Sequence, residues 1–313
     1  MSASGQAPRP DFFIVGAPKC GTSSLHQYLR RHPDAFLPEQ KDVPYFGSDL
    51  EHTFPNAPAD LADYLALFQD AGTARRIGDS CTLYMQSRRA AEEIAAWRPD
   101  ASIIVMLRDP VDLMFSLHSH NIWMTEEDIL DFQSALAAEP QRRRGERIPA
   151  RAAYPAGLWY TDVAALGDQL ERYMACFPPE QIHVILMDDL RRDVNGVVGE
   201  TLQFLGLSTD VDLDVDRVVN RRRAPRSLRL QALLQDPPAG LERAFRALTP
   251  SRLHGRVLPF LNRFNETPQT RQSLSPELRA RLAKELRPQV EKLEALLGRD
   301  LSGWRAEPPG LAA

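Results

Sequence analysis

The fold of this chain is decided by Asp11-Phe-Phe-Ile-Val-Gly16-Ala-Pro-Lys-Cys-Gly21-Thr-Ser-Ser24. The run Phe12 to Val15 is apolar and of strand length. Gly16 and Gly21 follow, and then a helical pattern with Leu25, Tyr28 and Leu29 on one face. The order is strand, glycine loop, helix. His32-Pro33 closes the helix, because the residue before a proline is pushed out of the α region. At such a helix start the backbone N–H groups point outward and the helix dipole adds positive potential, which makes the loop suited to an anion. The glycine spacing is that of the nucleotide-triphosphatase loop, G-x-x-x-x-G-K-[ST]. Here Thr22 stands where that lysine belongs, and the lysine, Lys19, lies inside the loop. This argues against Mg-ATP chemistry, and no clear acidic Walker B strand end is seen. Taken alone, the loop leaves two readings open: an anion site, or a glycine turn that binds nothing.

Further along, Ser102-Ile-Ile-Val-Met-Leu107 is a continuous apolar run, as expected of a strand buried on both faces of a parallel sheet. It ends at Arg108-Asp109-Pro110, ahead of a helix from Val111 to about Met124. Residues 76–80 read as a short strand and 181–187 as another. Helices are expected over 61–68, 88–97, 158–177 and 194–205, the last ended by Gly206. Residues 38–47 read as a loop, as do 210–225, and 227–304 as helix-rich with proline breaks. Strands alternating with helices predict an α/β fold, a P-loop-like three-layer α/β/α sandwich with a central parallel sheet and a helix-rich C-terminal part. The expected organisation is a disordered tail over 1–10, a single domain over 11–304, and a tail over 305–313. Residues 126–155 are polar and irregular and read as a substrate-facing insert.

The bulk numbers are those of an ordinary globular protein. The chain has 313 residues, 43% hydrophobic and 26% charged, with a net charge of −4. That balance lacks the basic excess of a nucleic-acid binder, so any anion site must be local. The basic clusters at Arg142–Arg144 and Arg221–Arg223 read first as solvated loops. The three cysteines, Cys20, Cys81 and Cys176, are far apart and form neither a disulfide framework nor a zinc site. No metal is expected. The polar start, Met1 to Pro10, lacks an apolar signal core, and no apolar run nears the ~20 residues that span a bilayer. The expectation is a cytoplasmic protein without a membrane span; its oligomeric state is left open.

The loop has company. Pro18-Lys-Cys-Gly-Thr-Ser-Ser-Leu25 closely resembles the 5′-phosphosulfate loop of sulfotransferases that use 3′-phosphoadenosine 5′-phosphosulfate (PAPS), the heparan-sulfate-sulfotransferase-like branch in particular. Ile104-Val-Met-Leu-Arg-Asp-Pro-Val-Asp-Leu-Met-Phe-Ser116 resembles that family's second donor element, in which Arg108 and Ser116 match the pair on the 3′-phosphate. An arginine fork suits phosphate. Ser116 lies about two helical turns beyond Arg108 and can share a face with the helix start. Tyr154–Tyr173, Phe204-Leu-Gly-Leu207 and Leu296–Trp304 extend the resemblance to roughly residues 11–304.

The resemblance implies transfer of a sulfuryl group from PAPS to a hydroxyl, with an amine second, of a small-molecule, lipid or carbohydrate acceptor. Lys19, Cys20, Gly21, Thr22, Ser23, Ser24, Arg108 and Ser116 would hold the donor, and Arg226 and Ser227 would add a late donor loop. Catalysis of in-line displacement is mostly positioning and charge stabilisation. Lys19 is placed to stabilise the leaving phosphate. Asp42, in Lys41-Asp42-Val-Pro-Tyr-Phe46, matches the family's glutamate base but is one methylene shorter; Glu39 and His120 are alternatives, and His118 lies on the same helix as His120. Where heparan-type relatives carry an acid-lysine pair, this chain has Asp79-Ser80, which weakens the case for a glycosaminoglycan acceptor. Competing readings are a P-loop-type ATP-dependent kinase and a non-catalytic nucleotide-binding module.

Overall fold

The computed structural model describes residues 8–215, 223–225, 266–268 and 274–305. The chain opens with β1 (Phe12–Gly16), α1 (Thr22–Leu29), β2 (Ala35–Phe36), α2 (Leu61–Ala66) and β3 (Arg76–Ser80). Next come α3 (Leu83–Gln86), α4 (Ala90–Trp97), β4 (Ser102–Leu107) and α5 (Pro110–Trp123). The insert holds α6 (Phe132–Ala137) and α7 (Glu139–Arg142), followed by α8 (Tyr160–Val163) and α9 (Leu166–Cys176). Then follow β5 (Ile182–Leu186), α10 (Met187–Arg192) and α11 (Val194–Phe204). A short antiparallel pair, β6 (Arg223–Pro225) with β7 (Glu266–Pro268), and the long α12 (Pro276–Leu297) complete the described elements.

Five parallel strands form the sheet in the order β2-β3-β1-β4-β5. The chain runs from β1 to one edge, returns, and crosses to the other side. β1 and β4 are therefore neighbours whose following segments depart in opposite directions. That is the topological switch point, where an open α/β sheet leaves a crevice at its carboxyl edge. Phe12, Phe13, Ile14 and Val15 of β1 and Ile103 to Leu107 of β4 are all fully buried, as strands covered on both faces must be.

The helix that follows β4 starts sharply. Asp109 caps α5 by accepting from Val111 N–H at 2.8 Å and Asp112 N–H at 3.2 Å, and Pro110 fixes the first turn. At the C-terminal end, Ser275 caps α12, which packs on α5 and α9 and ends at the left-handed Gly298.

Three expectations need correction. The single helix expected over 158–177 is two, α8 and α9, broken at Ala164–Ala165. The Gln169 side-chain amide donates to the carbonyls of Asp162 (2.7 Å) and Val163 (3.3 Å), satisfying groups that the break leaves without helical partners. The strand expected over 181–187 ends at Leu186, because Met187 already begins α10. The 126–155 insert is not irregular: it contains two helices around a buried ion pair. No helix among the described residues is long and apolar enough to cross a membrane.

Candidate active site

The glycine loop sits at the switch point and is shaped by its backbone. Gly16, Lys19 and Gly21 all have positive φ, at 145°, 63° and 94°. A Cβ on Gly21 would lie 2.9 Å from the Leu190 side chain and 3.0 Å from Met187 Sδ, so glycine serves there for space as well as conformation. Ala17 N–H donates to the Met106 carbonyl at 2.7 Å and ties the loop to β4. No side chain caps α1. Its first N–H groups, near Thr22 and Ser23, are therefore presented to the crevice, while Ser24 N–H turns back to the Gly21 carbonyl at 2.9 Å. The Cys20 side chain lies in the core, its thiol donating to the Pro18 carbonyl at 3.4 Å, and burial pushes its pKa up to about 12. Cys20 can contribute to an anion only through its backbone.

Arg108 leaves the end of β4 toward the same loop. It is 4% exposed, and its Nη1 donates to the Lys19 carbonyl at 3.4 Å. Its Nη2 lies 3.0 Å from Asp112 Oδ2. The buried Nε has no hydrogen-bond partner among the described residues. A buried guanidinium with an unsatisfied N–H beside an uncapped helix start is arranged to receive an anion. Ser116 lies on α5 beyond it, half-buried. Asp112 is shared: its other oxygen meets Arg279 of α12, which also reaches Asp109 at 3.1 Å. Burial acts to raise the Asp112 pKa, but hydrogen bonding and charge from Arg108, with Arg279 behind, hold it below the usual carboxylate value.

The opposite wall carries the candidate bases. Asp42 is held in the left-handed region at φ 58°, with its N–H on the Ser80 carbonyl at 2.8 Å. Its Oδ1 accepts from the N–H (2.8 Å) and hydroxyl (2.9 Å) of Thr82, and its Oδ2 lies 2.6 Å from Lys41 Nζ. Burial alone would raise its pKa; the Lys41 ammonium and the two Thr82 donors overcome that and lower it. His120 stands at the last turn of α5, within the electrostatic reach of Lys19, Asp42 and Lys41. Desolvation by the surrounding protein leads the causes that lower its pKa, with Lys19 and Lys41 acting in the same direction against Asp42, although the ring itself is exposed to solvent. The imidazole is therefore neutral at physiological pH.

Lys19, Lys41, Asp42 and His120 thus gather at one mouth, next to Arg108. Glu39 is exposed on the nearby loop. His118 faces away: it is buried against Phe132 and Tyr160, with Nε2 2.8 Å from the Ile129 carbonyl, and is part of the packing. Asp79 is also interior, accepting from the Tyr64 and Tyr84 hydroxyls at 2.8 and 2.9 Å, and burial raises its pKa to about 6. Arg226 and Ser227, with Arg221 and Arg222, lie outside the described residues.

Sequence reasoning missed three participants. Lys41 and Thr82 fix Asp42, and Lys41 could have been suspected from its adjacency. Arg279, more than a hundred residues from Asp109 and Asp112, left no local signal beyond two acids that need a cation.

Comparison with known proteins places the chain in a family. The sulfotransferase domain family matches residues 9–225. A sulfotransferase from Alicyclobacillus acidocaldarius, known from its crystal structure, is 30% identical with a TM-score of 0.70, over 96% of this chain and 100% of that one. The human bifunctional heparan sulfate N-deacetylase/N-sulfotransferase 3 is 27% identical over 213 residues, 63% of this chain and 22% of that protein. Human heparan sulfate glucosamine 3-O-sulfotransferase 3B1 is 27% identical over 207 residues, 66% of this chain and 48% of that protein. The chain therefore spans less than half the length of these two human relatives.

Proposed function

This chain belongs to the sulfotransferase family, and from that premise we propose that it moves a sulfuryl group from PAPS to an acceptor hydroxyl by in-line displacement. The observation that carries the reading is the meeting of two anion-receiving devices at the β1/β4 crevice: the uncapped start of α1 with Lys19, and the buried Arg108 with its unsatisfied Nε. The residues fit a donor with phosphate at both ends. The N–H groups from Cys20 to Ser23, the Ser24 hydroxyl and the Lys19 ammonium would hold the 5′ end, and Arg108 with Ser116 the 3′-phosphate. Arg226 and Ser227 would contribute a further contact. Residues 11–304 are read as one catalytic domain, consistent with the packing of α12 on α5 and α9.

The donor supplies an activated sulfuryl group; this chain's residues supply position and charge. As the acceptor oxygen bonds to sulfur, the bond from sulfur to the bridging phosphate oxygen breaks, and its electron pair stays on that oxygen. Lys19 offsets the charge that develops there. The acceptor proton needs a base. His120 is the more available of the candidates: it is exposed at the last turn of α5, within the electrostatic reach of Lys19, whereas both Asp42 oxygens are engaged by Lys41 and Thr82. Asp42 then orients Lys41 and shapes the field at His120.

Calorimetric titration with adenosine 3′,5′-bisphosphate and with Mg-ATP tests the reading. Metal-independent binding of the bisphosphate is expected; preference for Mg-ATP refutes it and favours a kinase. Bisphosphate binding without sulfuryl transfer across a broad acceptor panel would leave a nucleotide-binding module.

A further inference from the structure

Asn195-Gly196 is the single Asn-Gly pair among the 313 residues; each of the other five asparagines precedes a residue with a side chain. The pair lies in the first turn of α11, which Asp193 caps. Gly196 N–H donates to Asp193 Oδ1 at 2.8 Å, which satisfies one of the amides that a helix start leaves unpaired. The capping carboxylate is folded tightly over the residue it serves. A Cβ on Gly196 would overlap Asp193 Oδ2 and lie 2.8 Å from its Cγ. Any side chain at 196 would therefore push the cap aside, so the cap itself calls for glycine.

Glycine leaves the asparagine before it open to attack, because no Cβ hinders the approach of its amide nitrogen to the Asn195 side chain. Attack on Cγ forms a nitrogen–carbon bond and breaks the Cγ–Nδ2 bond. The electron pair of the broken bond and the proton from Gly196 N leave with Nδ2 as ammonia. Water then opens the five-membered imide. Cleavage at Cγ gives aspartate; cleavage at the main-chain carbonyl gives isoaspartate, which routes the backbone through the side chain and lengthens it by a methylene. Asn195 is exposed, so water reaches both the amide and the imide. Two features of the fold hold the reaction back. The N–H of the attacking nitrogen is committed to Asp193, and Asn195 lies in helical backbone, from which it must rotate about Cα–C before Gly196 N can face Cγ. Both restraints are released together when the first turn opens, as helix ends do at low cost. The place matters to the rest of the molecule: α11 packs on α10, whose Met187 and Leu190 lie against Gly21 of the glycine loop.

We propose that Asn195 is a site of spontaneous deamidation, with water as co-reactant, which the Asp193 cap keeps latched while the first turn of α11 is closed. The test ages the full chain in mildly alkaline buffer, folded and in guanidinium chloride, and follows the tryptic peptide 193–217, in which Asn195 is the one asparagine. Mass mapping reads the conversion, and chromatography separates aspartate from isoaspartate. Conversion in the folded chain should be at least tenfold slower than in the unfolded one. Asp193→Ala, aged folded, should speed it at least fivefold, and Asp193→Ser, which keeps a capping hydroxyl, should bring it back to within twofold of the unmodified chain. Folded conversion as fast as unfolded overturns the proposal. So does an Asp193→Ala rate equal to or below that of the unmodified chain, a lower one making the carboxylate the base that drives the attack. The comparison of folded with unfolded chain uses no variant, so the proposal stays open to refutation even where Asp193→Ala does not fold.

Discussion

Arg279→Ala should weaken donor binding although Arg279 stands behind the proposed 3′-phosphate site. In the intact protein Asp112 divides its carboxylate between Arg108 (3.0 Å) and Arg279, and Arg279 also holds Asp109 at 3.1 Å. Without Arg279, Asp112 is free to turn wholly onto Arg108 and compete with a phosphate for the guanidinium. At this distance and an effective dielectric of ~20, a unit pair is worth ~5.5 kcal/mol gross. Asp112 is about one-third exposed at 34%, so screening and the retained half of the pair reduce the net change to roughly 1–1.5 kcal/mol. That is about a tenfold rise in Kd for adenosine 3′,5′-bisphosphate. Asp112→Asn in the Arg279→Ala background should restore affinity by removing the competitor. Calorimetry gives Kd, and urea unfolding of the same samples separates stability from binding. An unchanged Kd with lowered stability would show that the network only fastens α12 to α5, and the reasoning would be wrong.

Lys19→Ala should lower kcat by ~100-fold with a smaller effect on bisphosphate affinity, while Arg108→Ala should raise Kd first; single-turnover kinetics and calorimetry distinguish them. His120→Gln should cost ~100-fold or more in kcat. In the unmodified enzyme the active form of His120 is the neutral ring, so kcat should hold down to about pH 5 and fall as pH drops through about 4, a limb absent from His120→Gln. Arg142→Ala strands the buried Glu127 carboxylate and should cost ~3–5 kcal/mol in urea unfolding, whereas the double change Arg142→Met, Glu127→Leu should be close to neutral. His26 is 1% exposed with its pKa lowered to about 4, mainly by burial and then by Lys41 and Arg30. An unfolded chain takes up that proton below about pH 6.5, so stability should decline from pH 6.5 to 4 by up to ~3 kcal/mol, and His26→Gln should flatten the decline.

Local chemistry explains which parts of the molecule were legible in sequence. The strand–glycine-loop–helix unit of β1 and the turn at Arg108 were readable because each is a short contiguous pattern that folds where it stands. The parallel sheet was readable from unbroken apolar runs such as Ile103 to Leu107. Burial of Arg142 was not, because an arginine enters the interior only when a carboxylate supplied by another segment meets its charge: here both Nη atoms donate to Glu127, which also accepts from the Tyr160 hydroxyl. The break between α8 and α9 was hidden for the same kind of reason: the alanines at 164–165 favour helix, and the side chain of Gln169 decides otherwise. Asp42 was singled out in sequence, but its hydrogen bonds with Lys41 and Thr82, which on the proposed mechanism leave His120 as the base, are set by how the loop folds over the end of β3.

The position of β1 in the sheet has a consequence for how the protein comes into being. β1 and its glycine loop leave the ribosome before the strands that flank them, β3 from Arg76 and β4 from Ser102, which claim both edges of the strand. Until residues beyond Leu107 emerge, Phe12 to Val15 lack one of their two neighbouring strands, and the loop has no Met106 carbonyl to hold Ala17. Such pairings are slow to close and open to misassociation while they wait. The first part of the site to be translated is therefore among the last to take shape, and a nascent chain stalled before β4 would expose a sticky strand to chaperones rather than a half-built pocket to nucleotide.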